Sequence, residues 1–328
     1  MKDTGLYYLA AKRKLKKLDL SVTYKCGLRC QACGIWKLYR DDSSLAAAES
    51  GLEFYRKYFS KNNFWHWVSL TGGEPFLRSD LPEIAEIISA NCKGLKALAI
   101  ATSGAGAKDI PETVSRILRA TNCRLHVSIS LNGDKVTHNS MKGSDAAFDA
   151  AVNLFEKLKA FKEKRLSVKY EYLIAGANHG RLSGFFKDNP RFKINDFILS
   201  FEHSSFRYGA NETVMPDYGN KELRKDVRYF SGGLRVNSFY DLHQKLFLHC
   251  VLNGIRVPCV AGRNTRHMDP YGKEFLCTLV QESPGSGKER ACNGCYTPCE
   301  SYFGLALGSR TELLKNICSS LLPRRSRG

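Results

Sequence analysis

Cys26-Gly-Leu-Arg-Cys30-Gln-Ala-Cys33 is the stretch that decides the fold. Its three cysteines are separated by three and two residues, and no fourth cysteine lies nearby. Structural zinc sites take four protein ligands and ordinary iron–sulfur clusters are held by four thiolates, so three thiolates leave one coordination position open. The preceding run Lys17–Thr23 alternates apolar and polar residues and predicts a strand. The cysteines therefore follow a strand's carboxyl end, where barrel enzymes carry out their chemistry.

Strand-like and helix-like segments alternate along the chain after this point. The predicted strands are Lys17–Thr23, Trp65–Thr71, Ala97–Thr102, Arg124–Ser130, Ser167–Ala175 and Asp196–Glu202. The predicted helices between them are 43–60, Leu81–Ala90, Ile110–Ala120, Ala146–Lys162 and His179–Lys187. Repeated strand–helix units require a parallel sheet with right-handed crossovers, so we predict an α/β fold.

Composition limits the partners and the compartment. The 328 residues contain 50 Lys and Arg against 32 Asp and Glu, a net charge of +18. Such a charge favours anionic partners, which include nucleic acid, a membrane surface and a phosphorylated substrate. We expect no transmembrane segment and no signal peptide, because no apolar run is long enough. Twelve cysteines in such a chain predict a reducing, cytoplasmic location.

A second motif, Thr71-Gly72-Gly73-Glu74-Pro75, follows the second predicted strand. The cysteine motif with this turn downstream resembles the radical S-adenosylmethionine (SAM) superfamily. The resemblance implies a partial barrel of six βα units, with a 4Fe-4S cluster on Cys26, Cys30 and Cys33. It also implies that SAM chelates the open iron and is cleaved reductively to a 5′-deoxyadenosyl radical. A partial zinc knuckle is the alternative reading of the cysteines.

The resemblance also implies further SAM contacts. Gly72, Gly73, Glu74 and Pro75 would hold the amino group, and the strand end around Ser128, Ser130 and Asn132 would contact the ribose. Lys142 stands where relatives carry an arginine that binds the SAM carboxylate, and it offers a point charge instead of a bidentate fork. Asn132 replaces a usual acidic residue, and Ser103 stands where an asparagine is common. Ile35 or Trp36 would pack against the adenine of SAM, and a role for both as core residues fits the sequence equally well.

A second cysteine group lies near the end of the chain, at Cys259, Cys277, Cys292, Cys295 and Cys299. The segment Asp269–Cys277 predicts a β-hairpin with its turn at Pro270–Gly272. The spacing resembles the SPASM extension of radical SAM enzymes, or its shorter twitch form. Five cysteines instead of seven imply the twitch form with one auxiliary 4Fe-4S cluster, in which Cys292 or Cys299 completes the ligand set. A zinc ribbon is the competing interpretation.

We therefore predict five regions: a basic leader (1–16), a radical SAM core (17–205), a bridging substrate segment (206–255), a twitch-like domain (256–310), and a C-terminal helix with a basic tail (311–328). The helix-like stretch 240–252 would bridge the domains. His66, His126 and His203 are more typical of structural histidines, and the alternative for His203, with Glu202, is that both face substrate from the end of a strand.

The predicted activity is hydrogen abstraction from a small molecule or peptide, with the auxiliary cluster as electron acceptor and a flavodoxin or ferredoxin as reductase. An anionic lipid or nucleotide is the alternative substrate. A non-enzymatic iron–sulfur or nucleic-acid-binding scaffold is a third, less favoured hypothesis.

Overall fold

The computed structural model describes residues 14–41, 44–205, 217–255 and 260–277. These residues form one sheet of eight strands in the order β6-β5-β4-β3-β2-β1-β7-β8. The strands are β1 (Lys17–Thr23), β2 (Trp67–Gly72), β3 (Ala97–Thr102), β4 (Arg124–Ser130), β5 (Leu166–Ile174), β6 (Phe197–Phe201), β7 (Thr265–Met268) and β8 (Glu274–Phe275). The first six run parallel, each beside its predecessor. The sheet is not closed, so the predicted α/β fold with a partial barrel is confirmed.

Helices occupy the connections. They are α1 (Ile35–Asp41), α2 (Ser44–Ala47), α3 (Leu52–Lys61), α4 (Leu81–Asn91), α5 (Ile110–Ala120), α6 (Lys135–Lys142), α7 (Ala147–Lys159), α8 (Leu182–Asp188), α9 (Lys221–Gly233) and α10 (Phe239–Asn253). The single helix predicted for 43–60 is wrong, because the chain forms two helices that are separated before the N-cap Gly51. None of the helices in the described ranges is long and apolar enough to cross a membrane.

The two faces of the sheet differ in chemistry. On β1, Leu18, Leu20 and Val22 are fully buried in the apolar layer beneath the helices. The alternate residues of this strand are polar yet equally buried, and Lys17 pairs with Asp19 at 2.9 Å. A strand with both faces covered is typical of a parallel sheet in an α/β protein. The face of β1 that lines the inside of the partial barrel is therefore polar.

Helix α10 covers the edge strand β6. The side-chain amide of Gln244 accepts from the backbone N–H of Leu199 and donates to the carbonyl of the same residue, both at 3.1 Å. These bonds satisfy backbone groups that an edge strand leaves open. Tyr240 packs edge-on against Trp67 and His126 on the inner face, with ring centroids at 5.3 and 4.6 Å. The helix thus closes the amino-terminal end of the sheet's concave face.

The predicted β-hairpin lies at the other edge of the sheet. Strands β7 and β8 are antiparallel, and the carboxylate of Asp269 accepts from the N–H groups of Tyr271 (3.0 Å) and Lys273 (2.8 Å). Gly272 has φ +85°, a conformation that favours glycine in such a turn. Strand β7 also pairs in parallel with β1, from Lys17 opposite Thr265 onward. The hairpin therefore extends the sheet of the core.

Candidate active site

A cavity of about 270 Å³ opens at the carboxyl ends of β1 to β6. Its walls contain all three cysteines of the motif and most of the residues predicted to bind SAM. The lining residues are Cys26, Leu28, Cys30, Ala32, Cys33, Ile35, Trp36, Thr71, Gly72, Gly73, Glu74, Ala101, Thr102, Ser103, Ser130, Asn132, Met141, Lys142, Glu171, Leu173, Ser200, Phe201, Glu202 and His203. Pro75 and Ser128 are outside this lining, although both were predicted to contact SAM.

The cysteine loop rests on the carboxyl end of α6. The N–H of Arg29 donates to the carbonyl of Lys142 at 3.3 Å, and the N–H of Gln31 donates to that of Met141 at 3.0 Å. Carbonyls in the last turn of a helix have no partner within the helix, so the loop satisfies groups that the helix leaves open. Helix α6 was not predicted. Its signals are the cap at Asp134, which accepts from Thr137 N–H at 2.8 Å, and Gly143 at its end.

The two glycines are required by a close approach of the backbone that leads to the cysteines. A Cβ atom on Gly72 would lie 2.1 Å from the carbonyl oxygen of Thr23, and one on Gly73 would lie 2.1 Å from that of Lys25. The N–H of Gly73 donates to Thr23 and the N–H of Glu74 donates to Lys25, both at 2.8 Å. The Gly-Gly turn and the start of the cysteine loop are thereby fixed to each other.

The carboxylate of Glu74 joins two loops of the cavity wall. It accepts from the hydroxyl of Thr102 (2.8 Å) and from the N–H (2.9 Å) and hydroxyl (2.8 Å) of Ser103, with a longer contact to Phe76 N–H at 3.4 Å. Burial raises the pKa of Glu74, and these donors oppose the rise. The side chain therefore holds the loops after β2 and β3 together.

The surroundings of the thiols disfavour their ionisation. Burial raises the pKa of Cys26 and brings that of Cys33 to about 11, while the charge of Lys142 lowers both. Iron binds the thiolate form, so metal ligation supplies the stabilisation that burial removes. Among the described residues no three His, Cys, Asp or Glu side chains converge on a single ion. The donor set fits a cluster, in which each thiolate takes a separate iron.

Asn132 connects the ends of β4 and β5. Its side-chain oxygen accepts from the N–H of Leu173 at 3.1 Å, and its own N–H donates to Nδ1 of His138 at 3.0 Å. Burial, with the nearby charge of Lys142, lowers the pKa of His138 to about 3. The imidazole is therefore neutral and accepts at Nδ1. Asn132 holds the cavity wall in place with its oxygen and still lines the cavity.

The far wall of the cavity, at the ends of β5 and β6, contains residues that were predicted from the sequence as site candidates and others that were not. Glu202 and His203 line the cavity as expected, and Ile35 and Trp36 line it on the cysteine side. Sequence reasoning missed Glu171 and Ser200, two polar residues on predicted strands. Their signal was their position near a strand's carboxyl end, because that end of each parallel strand faces the site.

The second cysteine group lies almost entirely outside the described residues. Cys277 is buried two residues after β8, and the other four predicted ligands, Cys259, Cys292, Cys295 and Cys299, are not among the residues that the structure describes. The auxiliary ligand set therefore stays a prediction.

Comparison with known proteins decides the family. The sequence profile of the Radical SAM superfamily matches residues 20–174. The GTP 3',8-cyclase of Haemophilus influenzae (strain 86-028NP) is 31% identical over 277 residues, which cover 72% of this chain and 79% of that enzyme. The chain belongs to the radical SAM superfamily. The predicted resemblance is thus confirmed, and with it the 4Fe-4S cluster and SAM as the cofactors of the family.

Two other relatives of this radical SAM protein differ in how much of each chain the similarity covers. The GTP 3',8-cyclase of Aquifex aeolicus is 35% identical over 187 residues, and the chain spans about half of its length (54%). The mycofactocin maturase MftC of Mycobacterium ulcerans is 27% identical over 272 residues, which cover 80% of this chain and 68% of the maturase. Similarity to MftC therefore extends well beyond the region that the family profile matches.

Two solved structures with the same fold align with most of this chain. SuiB of Streptococcus suis, bound to its precursor peptide SuiA, aligns with a TM-score of 0.54 at 15% identity and covers 98% of this chain and 71% of SuiB. The enzyme anSMEcpe with bound AdoMet aligns with a TM-score of 0.55 at 17% identity and covers 92% of this chain and 88% of that one. At these identities the likeness is one of fold.

Proposed function

We propose that this radical SAM protein cleaves SAM reductively and uses the 5′-deoxyadenosyl radical to abstract hydrogen from a small molecule or a peptide side chain. The observation that carries the proposal is the joint placement of Cys26, Cys30, Cys33 and Lys142 in one cavity with the Gly-Gly turn. Three thiolates hold a cluster with one open iron, and a lysine beside them offers a positive charge to a carboxylate. Both features suit SAM as the chelating ligand.

The chain's own residues bind and orient the cofactors. Cys26, Cys30 and Cys33 would hold the cluster, which supplies the electron for cleavage when bound. The backbone at Gly72 and Gly73 would receive the SAM amino group, and Lys142 would neutralise its carboxylate. Ser130 and Asn132 line the same cavity and would offer a hydroxyl and an amide group to the ribose, while the hydroxyl of Ser103 donates to Glu74. The apolar walls Leu28, Ile35 and Met141 exclude water from this end of the cavity.

A second cluster and a reductase complete the proposal. We assign the auxiliary 4Fe-4S cluster to Cys259, Cys277 and the Cys292–Cys299 group, as acceptor of the electron that the substrate radical loses. Support comes from the cysteine spacing and from the match with MftC over 80% of the chain. A flavodoxin or ferredoxin would deliver the electron to the first cluster in a cytoplasmic location, which the cysteine content favours.

The comparisons favour a peptide substrate. SuiB was solved with its precursor peptide and anSMEcpe with the Kp18Cys peptide, and both share this fold. An anionic substrate such as a nucleotide is the second candidate, supported by the GTP 3',8-cyclase relatives and by the net charge of +18. The same charge would suit contact with nucleic acid or a membrane surface.

The triad variant tests the proposal. Replacing Cys26, Cys30 and Cys33 together with Ala should abolish 5′-deoxyadenosine release under dithionite, because no site for the SAM-binding cluster is left. Cys92→Ala, at a buried cysteine outside the cavity, is the matched control and should retain the release. Chromatography of the reaction mixture with iron analysis measures both. Undiminished SAM cleavage by the triple variant would overturn the assignment, and no cleavage by the wild type would favour a non-enzymatic scaffold.

A further inference from the structure

The wall of the cavity across from the cysteine loop is acidic. Among the residues that the structure describes, four side chains of fixed charge line the cavity: Glu74, Lys142, Glu171 and Glu202. The carboxylate of Glu74 is occupied by Thr102 and Ser103, and the charge of Lys142 acts on Cys26 and Cys33. Two carboxylates therefore remain at the ends of β5 and β6, and the described residues of the cavity lining place no lysine or arginine beside them.

Glu171 is the free carboxylate of this pair. It lies on β5, opposite Ser130 of β4 and Ile198 of β6, and within the described part of the chain its side chain takes part in no hydrogen bond or ion pair. The neighbouring Lys169 on the same face is engaged by Asp241 of α10. Glu202 accepts one bond, from the N–H of Gly176 at 3.2 Å, and burial raises its pKa.

A second observation at the same wall is the hydroxyl of Ser200. Ser200 lies on β6 opposite Leu173, is 4% exposed, and lines the cavity. Its Oγ is buried and finds no hydrogen-bond partner among the described residues. A buried hydroxyl without a hydrogen-bond partner costs free energy. Its presence in a cavity wall therefore indicates a bound ligand that supplies the missing hydrogen bond.

We propose that Glu171, Ser200 and Glu202 form a substrate subsite that takes a cationic nitrogen group, an amine or a guanidinium. The proposal rests on the proposed function, since it places the substrate beside Ser130, one of the residues assigned to the ribose of SAM. An ammonium or guanidinium donates to several acceptors at once, and its charge offsets the desolvation of carboxylates that a bound substrate would cause. An anionic group at this wall would face two like charges in a medium of reduced dielectric.

The subsite separates the candidate substrates. The overall charge of +18 attracts anions to the outside of the molecule, whereas the inner wall selects by local charge. A basic side chain of a peptide, or an amino group of a small molecule, matches this wall, and a phosphate does not. The class of substrate that we infer is therefore one with a protonated nitrogen near the reacting carbon.

The binding of three matched small molecules tests the subsite without any cleavage of SAM. Butylammonium, butanol and butyrate share a chain length and differ in charge, and their affinities for the reconstituted full-length protein can be measured by ligand-observed NMR at pH 7.5. The measurement is made with SAM and without it, in the absence of reductant. Butylammonium should bind most tightly and butyrate most weakly. Glu171→Gln should weaken butylammonium binding about tenfold, the loss expected for a charge-assisted hydrogen bond, and change butanol binding less than about twofold.

Glu156→Gln, at an exposed carboxylate on α7 outside the cavity, is the matched control and should change neither affinity. If circular dichroism shows that Glu171→Gln does not fold, Glu202→Gln carries the same test with the same expected loss. Butyrate binding as tight as butylammonium, or a charge preference that survives in the folded variant, would overturn the subsite. Failure of the wild type to release 5′-deoxyadenosine under dithionite would instead count against the proposed function, since the binding test involves no SAM cleavage.

Discussion

At the scale of single residues, the inner face of the sheet holds a half-buried histidine that carries no charge at neutral pH. His126 stacks on Trp67 with ring centroids 5.4 Å apart, and its Nε2 has no hydrogen-bond partner in the described residues. Burial, together with the charges of Arg124 and Lys169, lowers the pKa of His126 to about 3. In the unfolded chain a histidine titrates near pH ~6.5. Between these values the unfolded state binds more protons, so this group lowers the free energy of unfolding as pH falls.

His126→Phe tests this linkage. Phenylalanine keeps the ring that stacks on Trp67 and removes the titrating nitrogen. Between pH 7 and 5 the wild type should lose about 1 to 2 kcal/mol of unfolding free energy through this group, and the variant should not. Urea denaturation of both proteins at several pH values measures the difference. Parallel pH profiles of the two proteins would show that His126 does not titrate differently in the folded state.

Lys142 is the residue on which SAM affinity should depend most directly. Lys142→Met keeps much of the aliphatic length and removes the charge, so SAM binding should weaken by roughly 1 to 3 kcal/mol, the range of a charge-assisted hydrogen bond. Cluster content should stay unchanged, because the three thiolates are intact. Lys93→Met, at an exposed lysine far from the cavity lining, is the control. Equal dissociation constants for SAM in wild type and Lys142→Met would assign the carboxylate to another basic group.

At the scale of elements, one glycine at the carboxyl end of α6 allows the cysteine loop to approach the helix closely. Gly143 has φ +62°, and a Cβ on it would lie 2.8 Å from the carbonyl oxygen of Arg29. Gly143→Ala should therefore destabilise the fold by at least about 1 kcal/mol, because it combines left-handed strain with a clash against backbone. It should also speed the loss of iron from the reconstituted protein, since the displaced segment carries Cys30.

Gly184→Ala is the matched control for that variant. Gly184 lies inside α8, and an added Cβ meets nothing within 4 Å. Alanine there should stabilise the helix by about 0.5 to 1 kcal/mol, the opposite sign. Chemical denaturation and the rate of iron release to a chelator measure both variants. Iron release from Gly143→Ala at the wild-type rate would show that the cysteine loop does not depend on this contact.

The elements also show where sequence patterns suffice. The six strands of the core were predictable because apolar residues recur on the face that packs beneath the helices, as in Leu18, Leu20 and Val22. Helix α6 was missed because its sequence KVTHNSMK buries only His138 and Met141 and so has little apolar period. The break before Gly51 was missed because the alanines ahead of it favour a helix, and tertiary contacts override that preference.

At the scale of the whole molecule, the cysteine motif and the Gly-Gly turn were both predicted to contact SAM, and the structure brings the two motifs to one cavity. Backbone hydrogen bonds from Gly73 to Thr23 and from Glu74 to Lys25 connect the two motifs directly. The parallel pairing of β7 with β1 joins residues about 250 positions apart, and no local pattern predicts such a pair. The acidic wall was equally hidden, because Glu171 and Ser200 acquire their common surroundings only when β5 and β6 pair.

The last prediction separates the two proposed clusters. Strand β7 is held to β1 by backbone pairing, from Lys17 opposite Thr265, so removing nearby cysteine side chains should leave the core and its SAM site folded. Cys259→Ala combined with Cys277→Ala should bind about four irons instead of the roughly eight of a two-cluster protein. It should still release 5′-deoxyadenosine under dithionite but form no oxidised product, because the electron of the substrate radical has no acceptor. Cys92→Ala combined with Cys123→Ala, at buried cysteines outside the cavity and outside both proposed ligand sets, is the matched control and should keep the full iron content. Iron and zinc analysis with EPR of the Cys26, Cys30 and Cys33 triple-alanine variant completes the test. One zinc per chain and no cluster signal in that variant would replace the auxiliary cluster with a zinc ribbon, and electron transfer from the substrate would then need a different acceptor.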